Sequence, residues 1–296
     1  MIRISGSIVA LPTPFRAGEV SLHAFRRMIE RQIEAGTDGL VVAGTTGESA
    51  TLTSEERRRL VECCVETAAG RVPVIAGVGT NCTRTTCEEA RAAEEAGANA
   101  LLVVTPYYNR PSQRGLEIHY STVADTVRAP IVLYNVPKRT GIDLLPATVE
   151  RLARRHPNIV AIKEAAGSLE RIRELVALRE IDILCGEDAL AADAVKSGAV
   201  GLIGVVANIA PAEVAGLVSA ARPGGDALRA AELADQVAPL LKMLELDVNP
   251  VPVKAALERM GLGSAEVRPP LAPLAPEDAA QLERELERAG LIDLVV

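Results

Sequence analysis

Residues 130–163 read PIVLYNVPKRTGIDLLPATVERLARRHPNIVAIK, and this stretch contains the repeating unit of the fold. Two short apolar runs, Pro130–Asn135 and Ile159–Lys163, flank a segment in which Pro146 can open an amphipathic helix. Continuous β-branched runs of this length are typical of parallel strands that are buried on both faces. The stretch therefore predicts a strand–helix–strand unit of a parallel sheet.

Apolar runs of the same kind recur along the chain, each followed by a candidate helix. Six more bring the total to eight; they are Ser7–Phe15, Gly39–Ala43, Val72–Gly77, Ala100–Thr105, Ile181–Cys185 and Ala199–Val205. The helix after Gly39–Ala43 shows the boundary signals, since Ser54 can cap its N-terminus and Gly70 can end it. Eight repeats favour an α/β fold of the closed (β/α)8 type, a TIM barrel, over an open doubly wound sheet, although the pattern is compatible with both.

A turn-rich break at residues 222–225 separates the repeats from the rest of the chain, where the sequence predicts only helices. We therefore divide the chain into a catalytic barrel, residues 1–224, and a C-terminal helical extension, residues 225–296. The predicted elements of the extension are three helices and a proline-rich connector: Asp226–Leu246, Pro252–Met260 and Glu277–Ala289, with the connector at Pro269–Pro276.

Composition narrows the classes of partner. The chain is 48% hydrophobic and carries a net charge of −7, so nothing indicates a nucleic-acid or membrane partner, and a small soluble substrate fits better. No leader-like segment or apolar stretch of about 18 residues is found, which predicts a cytoplasmic protein. Neither the cysteines nor His23, His119 and His156 have the spacing of metal ligands, so we expect no bound metal and no cofactor.

Polar residues follow the predicted strands at the ends where β/α barrels place their active sites. Lys163 ends an apolar strand, and aliphatic surroundings disfavour its charged form and leave a neutral amine that can attack a ketone. Three of the four tyrosines, Tyr107, Tyr108 and Tyr134, follow two neighbouring strands, and a phenol beside a Schiff base can transfer protons. A strand-end lysine more often reaches solvent, but this cluster favours catalysis; packing at the rim is an equal alternative for Tyr107.

Two further features can bind carboxylates. The sequence Gly44-Thr45-Thr46-Gly47 places two hydroxyls and several backbone N–H groups in one tight turn, and its alternative role is simply to end the strand. Arg139, after the fifth strand, has a planar guanidinium that can hold a second carboxylate through two hydrogen bonds. The lysine of a Walker loop is missing after the turn, so nucleotide binding is not expected.

Five motifs resemble those of one known family. They are GSIVA at 6–10, GTTGESATL at 44–52, VTPYYNRPSQ at 104–113, YNVPKRTG at 134–141 and IKEA at 162–165. On these residues the chain resembles the dihydrodipicolinate synthases, class I pyruvate aldolases of the N-acetylneuraminate lyase superfamily. The resemblance extends over essentially the whole chain, including NPVPVK at 249–254.

The resemblance implies a reaction and its catalytic residues. Pyruvate would form a Schiff base on Lys163 and condense with L-aspartate 4-semialdehyde in lysine and diaminopimelate biosynthesis. Thr45, Tyr134 and Tyr108 would form a proton relay, with Tyr108 entering from a neighbouring subunit. The family is usually a homotetramer, a dimer of dimers, and we expect the same assembly here.

The resemblance also implies how the substrates are bound. Thr45 and Thr46 would hold the pyruvate carboxylate, Arg139 the carboxylate of the semialdehyde, and the backbone of Ile203 would lie close to the imine. Because the superfamily shares the lysine and the strand-five tyrosine, another pyruvate-dependent aldolase for sialic or sugar acids is an alternative, and Arg139 discriminates between the two. A barrel that binds a keto acid without catalysis is a more distant alternative.

Regulated members of the family bind lysine at the dimer interface, and this chain retains part of that possible effector pocket. The matching residues are Ser49, Ala50, Asn81 and Tyr107. Ser54, Arg57 and Thr85 stand where sensitive relatives commonly carry two histidines and a glutamate. We therefore expect weak or no inhibition by lysine.

Overall fold

The computed structural model describes residues 4–292, in which eight parallel strands close into a barrel. The strands are β1 (Gly6–Ala10), β2 (Gly39–Val42), β3 (Val74–Gly77), β4 (Ala100–Val104), β5 (Ile131–Asn135), β6 (Ile159–Glu164), β7 (Asp182–Cys185) and β8 (Gly201–Gly204). Each strand pairs with its neighbour in sequence, and β1 pairs with β8 to close the sheet. The predicted TIM barrel is therefore confirmed over the open sheet.

Helices alternate with these strands and continue beyond the last one. They are α1 (Leu22–Glu34), α2 (Ser54–Ala68), α3 (Thr83–Glu95), α4 (Gln113–Ala124), α5 (Pro137–Thr140), α6 (Pro146–Arg155), α7 (Leu169–Leu178), α8 (Ala191–Lys196), α9 (Pro211–Ala220), α10 (Ala227–Met243), α11 (Val251–Arg259) and α12 (Pro276–Arg288). Across residues 4–292, no helix combines the length and the hydropathy that a membrane span requires.

Two local predictions were wrong. The first strand was expected to run from Ser7 to Phe15, but β1 ends at Ala10, because Pro12 and Pro14 lack the N–H groups of a strand ladder. Phe15–Arg16 instead pairs antiparallel with Glu19–Val20 in a small ribbon.

The N-cap of α2 is Thr53 and not the predicted Ser54, which is the first helical residue. The Thr53 hydroxyl accepts from the Glu56 N–H at 3.2 Å, and the Glu56 carboxylate accepts from the Thr53 N–H at 2.9 Å. A glutamate three residues after Thr53 completes this capping box, whereas Arg57 stands three residues after Ser54. The position of the acidic residue therefore decides which hydroxyl caps the helix.

The barrel interior is formed by residues two positions apart on each strand. Val132, Tyr134 and Val136 belong to the inner cluster, as do Ala161 and Ala165, which flank Lys163 on β6. Tyr134 is the register partner of Lys163 across the β5–β6 ladder. The strand register alone therefore brings the lysine and the tyrosine side by side.

The three helices of the predicted extension are all present, each within three residues of the expected bounds. Helix α10 packs on α9, and α12 packs on both α10 and α11. No strand follows β8 as far as residue 292, in agreement with the sequence pattern. The proposed division after residue 224 stays a prediction, and the ends of its two parts, residues 1–3 and 293–296, lie outside the described residues.

Candidate active site

Lys163 lies on the inner face of β6 with only 6% of its surface exposed. Its Nζ lies 4.5 Å from the centroid of the Tyr134 ring. Gly186 leaves room for the lysine stem, because a Cβ at that position would lie 3.1 Å from Lys163 Cε. The amine is thus held beside a phenol in a largely apolar barrel, as the sequence predicted.

A cavity of about 220 Å³ opens at the C-terminal ends of the strands, and Lys163 contributes to its wall. Its polar lining residues include Thr45, Thr46, Tyr134, Arg139, Lys163, Glu187, Asp188 and Asn249. A larger groove of about 670 Å³ is lined mainly by α1, with residues of α2 and of the segment around α11, and contains none of these residues. The chemistry therefore points to the smaller cavity, whose size suits a ligand of few carbon atoms.

The turn after β2 is fixed by its own backbone and by its neighbours. The Glu48 N–H donates to the Thr45 carbonyl at 3.0 Å, and the Thr13 hydroxyl donates to the Gly47 carbonyl at 2.6 Å. Thr46 is buried, and its hydroxyl accepts from Asn249 Nδ2 at 3.0 Å. Both threonines line the cavity, so the turn lies where an anion beside Lys163 would bind.

Arg139 lies on α5, a single helical turn that begins at Pro137, and its side chain is exposed at the cavity. Its Nη2 donates to the backbone carbonyl of Asn249 at 3.4 Å. This long hydrogen bond leaves most of the guanidinium available for a ligand.

Two carboxylates at the end of β7 were missed by the sequence analysis. The Asp188 carboxylate accepts from the N–H groups of Val205 at 2.9 Å and Val206 at 3.2 Å, and burial raises its pKa. Burial also raises the pKa of Glu187, and nearby cations, Lys138 foremost, oppose this shift. Both residues lie within three residues of the end of β7, so the strand-end rule that selected Lys163 could have found them.

Tyr108 and Tyr107 do not reach the cavity of their own chain. Tyr108 is 89% exposed and has a left-handed backbone with φ 71°. Tyr107 is half-buried and lines an adjoining cavity of about 290 Å³, which shares Thr45, Arg139 and Asn249 with the Lys163 cavity. Ile203 lies in the inner cluster of β8, fully buried, and contributes nothing to the cavity wall.

The residues of the possible effector pocket are partly assembled. Ser49, Ala50 and Tyr107 line the cavity of about 290 Å³. Asn81 lies outside its wall and accepts, through its carbonyl, a hydrogen bond from Asn109 at 2.7 Å.

Arg57 is buried beside this cavity in an ion pair with Glu89 at 2.9 Å. It also donates to the carbonyls of Gly77 at 2.6 Å and Ser49 at 3.2 Å, and Ser54 donates to Glu89 at 2.5 Å. A fixed guanidinium therefore lies beside the cavity that contains part of the possible effector pocket.

Over residues 4–292, no group of three or more His, Cys, Asp or Glu side chains could hold a metal ion. The reactive groups of the cavity are the buried amine, the phenol of Tyr134, the hydroxyls of the turn and the carboxylates after β7. An amine held among acid–base groups can form an imine with a carbonyl compound and move the protons that this step requires.

Comparisons with known proteins agree with this chemistry. The chain matches the Dihydrodipicolinate synthetase family over residues 3–289. It is 42% identical to the 4-hydroxy-tetrahydrodipicolinate synthase of Oleidesulfovibrio alaskensis, over 98% of this chain and 100% of that protein. It is 48% identical to the enzyme of the same name from Pelobacter propionicus, over 97% and 99%. The crystal structure of dihydrodipicolinate synthase from Aquifex aeolicus superposes with a TM-score of 0.95 at 43% identity, covering 97% of this chain and 99% of that one.

Proposed function

Because the chain belongs to the dihydrodipicolinate synthetase family, we propose that Lys163 is the residue on which its reaction takes place. Its activity is that of a 4-hydroxy-tetrahydrodipicolinate synthase, a lyase of lysine and diaminopimelate biosynthesis. The substrates are pyruvate and L-aspartate 4-semialdehyde. The observation that carries the assignment of Lys163 is the position of its amine, buried in the cavity wall with Nζ 4.5 Å from the Tyr134 ring centroid.

The first half of the proposed reaction activates pyruvate. The Lys163 amine attacks the C2 ketone in its unprotonated form, and the resulting carbinolamine loses water to give an imine. The protonated imine draws electrons from the adjacent C3–H bond, so that C3 loses a proton and becomes the nucleophilic carbon of an enamine. The imine itself supplies the electron sink, and we therefore propose that no cofactor takes part.

The second half forms the product. The enamine carbon attacks the aldehyde carbon of the semialdehyde, and the aldehyde oxygen takes up a proton to become a hydroxyl group. The amino group of the same substrate then attacks the imine carbon and displaces the Lys163 amine. Ring closure and release of the enzyme are thus a single exchange of one amine for another.

Proton transfers in both halves are assigned to Tyr134 and Thr45, which line the cavity beside the amine. Tyr108 is the proposed third member and would come from a neighbouring subunit. Its 89% exposure and strained backbone support this role, because its own chain provides neither packing nor a catalytic partner for it. A homotetramer built as a dimer of dimers would supply the neighbour.

The two carboxylates of the substrates have separate proposed sites. Thr45 and Thr46 hold the pyruvate carboxylate in the turn after β2, and the exposed guanidinium of Arg139 holds that of the semialdehyde. The backbone of Ile203 on β8 is assigned to the neighbourhood of the imine. We place the enzyme in the cytoplasm, which its five free cysteines support, since thiols persist in a reducing compartment.

Trapping of the imine tests the central assignment. The protein is incubated with pyruvate and borohydride, and the mass of the intact chain is compared with that of a Lys163→Ala variant treated in the same way. We expect one reduced pyruvate adduct on the wild-type chain and none on the variant. A folded wild-type protein without an adduct, or a variant that still forms it, would refute the assignment.

A further inference from the structure

A fully buried ion pair joins the C-terminal helices to the turn after β2. Lys254 of α11 donates to the Glu48 carboxylate with Nζ 2.6 Å from Oε1, and each side chain is 1% exposed. The ammonium also lies 4.3 Å from the ring centroid of Phe15. Burial lowers the pKa of Lys254, while the hydrogen bond to Glu48 opposes the shift. Removing two charges from water is unfavourable unless their partners are well placed, so this pair calls for a specific role.

Both oxygens of Glu48 are held by residues beyond the barrel repeats. Oε1 accepts from Lys254, and Oε2 accepts from the backbone N–H of Arg268 at 3.0 Å. The Arg268 side chain is fixed in turn, because it pairs with Glu56 at 2.5 Å and donates to the Thr51 carbonyl at 2.9 Å. Glu48 itself has a left-handed backbone with φ 56°, a conformation that a non-glycine residue keeps only when its surroundings hold it.

The conformation of Glu48 is linked directly to the residues that line the cavity. Its backbone N–H donates to the carbonyl of Thr45 at 3.0 Å and so closes the turn. Asn249, five residues before Lys254, donates to the Thr46 hydroxyl at 3.0 Å. The extension therefore forms hydrogen bonds to the turn at Glu48 and at Thr46, on either side of Gly47.

We propose that Glu48 and Lys254 are a positioning pair for the carboxylate site. By holding Glu48 in its left-handed conformation, Lys254 sets Thr45 and Thr46 at the geometry that binds the carboxylate of pyruvate. Neither residue of the pair touches the substrate in this account, and the inference rests on the proposed role of the two threonines. A pair that only anchors the extension would influence stability and leave ligand preference unchanged.

The test compares pyruvate with acetone, a ketone that has no carboxylate. Imine formation on Lys163 is trapped with cyanoborohydride at increasing concentrations of pyruvate or of acetone, for the wild type and a Lys254→Met variant. We expect the half-saturating concentration of pyruvate to rise about tenfold, since one anchored carboxylate contact is lost. The yield at saturating pyruvate and the concentration dependence for acetone should stay as in the wild type.

Lys242→Met is the matched control, because Lys242 lies exposed in the last turn of α10 in the same extension. It should behave as the wild type with both ketones. A purely structural role predicts that Lys254→Met weakens trapping of both ketones by the same factor, and that result would overturn the proposal. An unchanged pyruvate dependence in the folded variant would overturn it as well.

A second variant covers the case in which Lys254→Met fails to fold because Glu48 is left buried and unpaired. The double variant Glu48→Gln with Lys254→Met removes both charges, and we expect it to fold and to show the same selective loss for pyruvate. Wild-type behaviour of the folded double variant would refute the positioning role. Failure of the proposed function gives a different result, since the wild type itself would then form no adduct with pyruvate.

Discussion

Replacement of Gly186 by alanine is a graded perturbation of Lys163, the proposed Schiff-base residue. A Cβ at this position would lie 2.6 Å from the Cβ of Ala165, 3.0 Å from the carbonyl oxygen of Glu164 and 3.1 Å from Cε of Lys163. The Gly186 N–H donates to the same Glu164 carbonyl at 2.8 Å, so the backbone cannot retreat without straining this bond. The 2.6 Å contact with Ala165 Cβ can be relieved only by a backbone shift, and because Lys163 stands two residues before Ala165, we expect the amine to be displaced with it.

The size of the effect follows from these contacts. Overpacking of a buried site by one methyl group lowers the free energy of unfolding by ~1–3 kcal/mol. Displacement of a reacting group by about 1 Å can lower the rate on the order of a hundredfold. Lys163 Nζ lies 4.5 Å from the Tyr134 ring centroid, so a shift of this size would change the contact between the amine and its proposed proton carrier. We therefore expect a loss of activity much larger than the loss of stability would explain.

The assay combines steady-state turnover, the rate of borohydride-trapped imine formation and urea unfolding of Gly186→Ala. Gly263→Ala is the matched control, because its new Cβ would lie at an ordinary 3.4 Å from the Cβ of Leu257. We expect imine formation to slow by about ten- to a hundredfold in Gly186→Ala and to stay unchanged in the control. Imine formation within twofold of the wild type would refute the reasoning.

Four further predictions concern the cavity, the possible effector pocket and the contact between Glu56 and Arg268. Tyr134→Phe should lower kcat by about 10²- to 10⁴-fold in a turnover assay, because the phenol is the proposed proton carrier. Arg139→Ala should raise KM for the semialdehyde about ten- to a hundredfold and leave the pyruvate adduct intact, as mass spectrometry can show. Titration with lysine should give weak or no inhibition, since the Arg57 guanidinium stands by the possible effector pocket. The hydrogen bond from Arg268 lowers the pKa of Glu56 from 4.5 to about 2. The ionised Glu56 carboxylate therefore stabilises the fold above pH 4.5, and this contribution is lost as the pH falls towards 2. The free energy of unfolding measured with urea should fall less steeply over this pH range in Glu56→Gln than in the wild type.

The sequence predicted the barrel because its signals are local. Apolar runs and helix caps depend on neighbours within a few residues, and the strands were found within a few residues of their expected bounds except at β1. The predicted first strand was too long because the whole of Ser7–Phe15 is rich in apolar residues. Pro12 and Pro14, which have no backbone N–H groups for a strand ladder, indicate an earlier end. The cap of α2 was misplaced for a related reason, since Ser54 and Thr53 are both good capping residues and only Glu56 distinguishes them.

The site residues that follow the strands could be predicted from the sequence. Lys163, Tyr134, Thr45, Thr46 and Arg139 do line one cavity. The contacts between the turn after β2 and the extension join residues about 200 positions apart, Lys254 with Glu48 and Asn249 with Thr46, and no local sequence pattern connects such pairs. Tyr108 is a different case, because its proposed role depends on a second subunit.

The proposed reactive pair and the proposed carboxylate anchors are held by different parts of the molecule. Lys163 and Tyr134 face each other through the register of two neighbouring strands, which a substitution outside the barrel does not alter. The anchors depend on the extension, since Asn249 contacts the Thr46 hydroxyl through its amide and Arg139 through its carbonyl. One residue therefore links the proposed sites of both carboxylates, and a change at that residue would move the anchors while leaving the amine in place. This separation would allow substitutions in the extension to change which carboxylate substrate binds while Lys163 and Tyr134 stay in place.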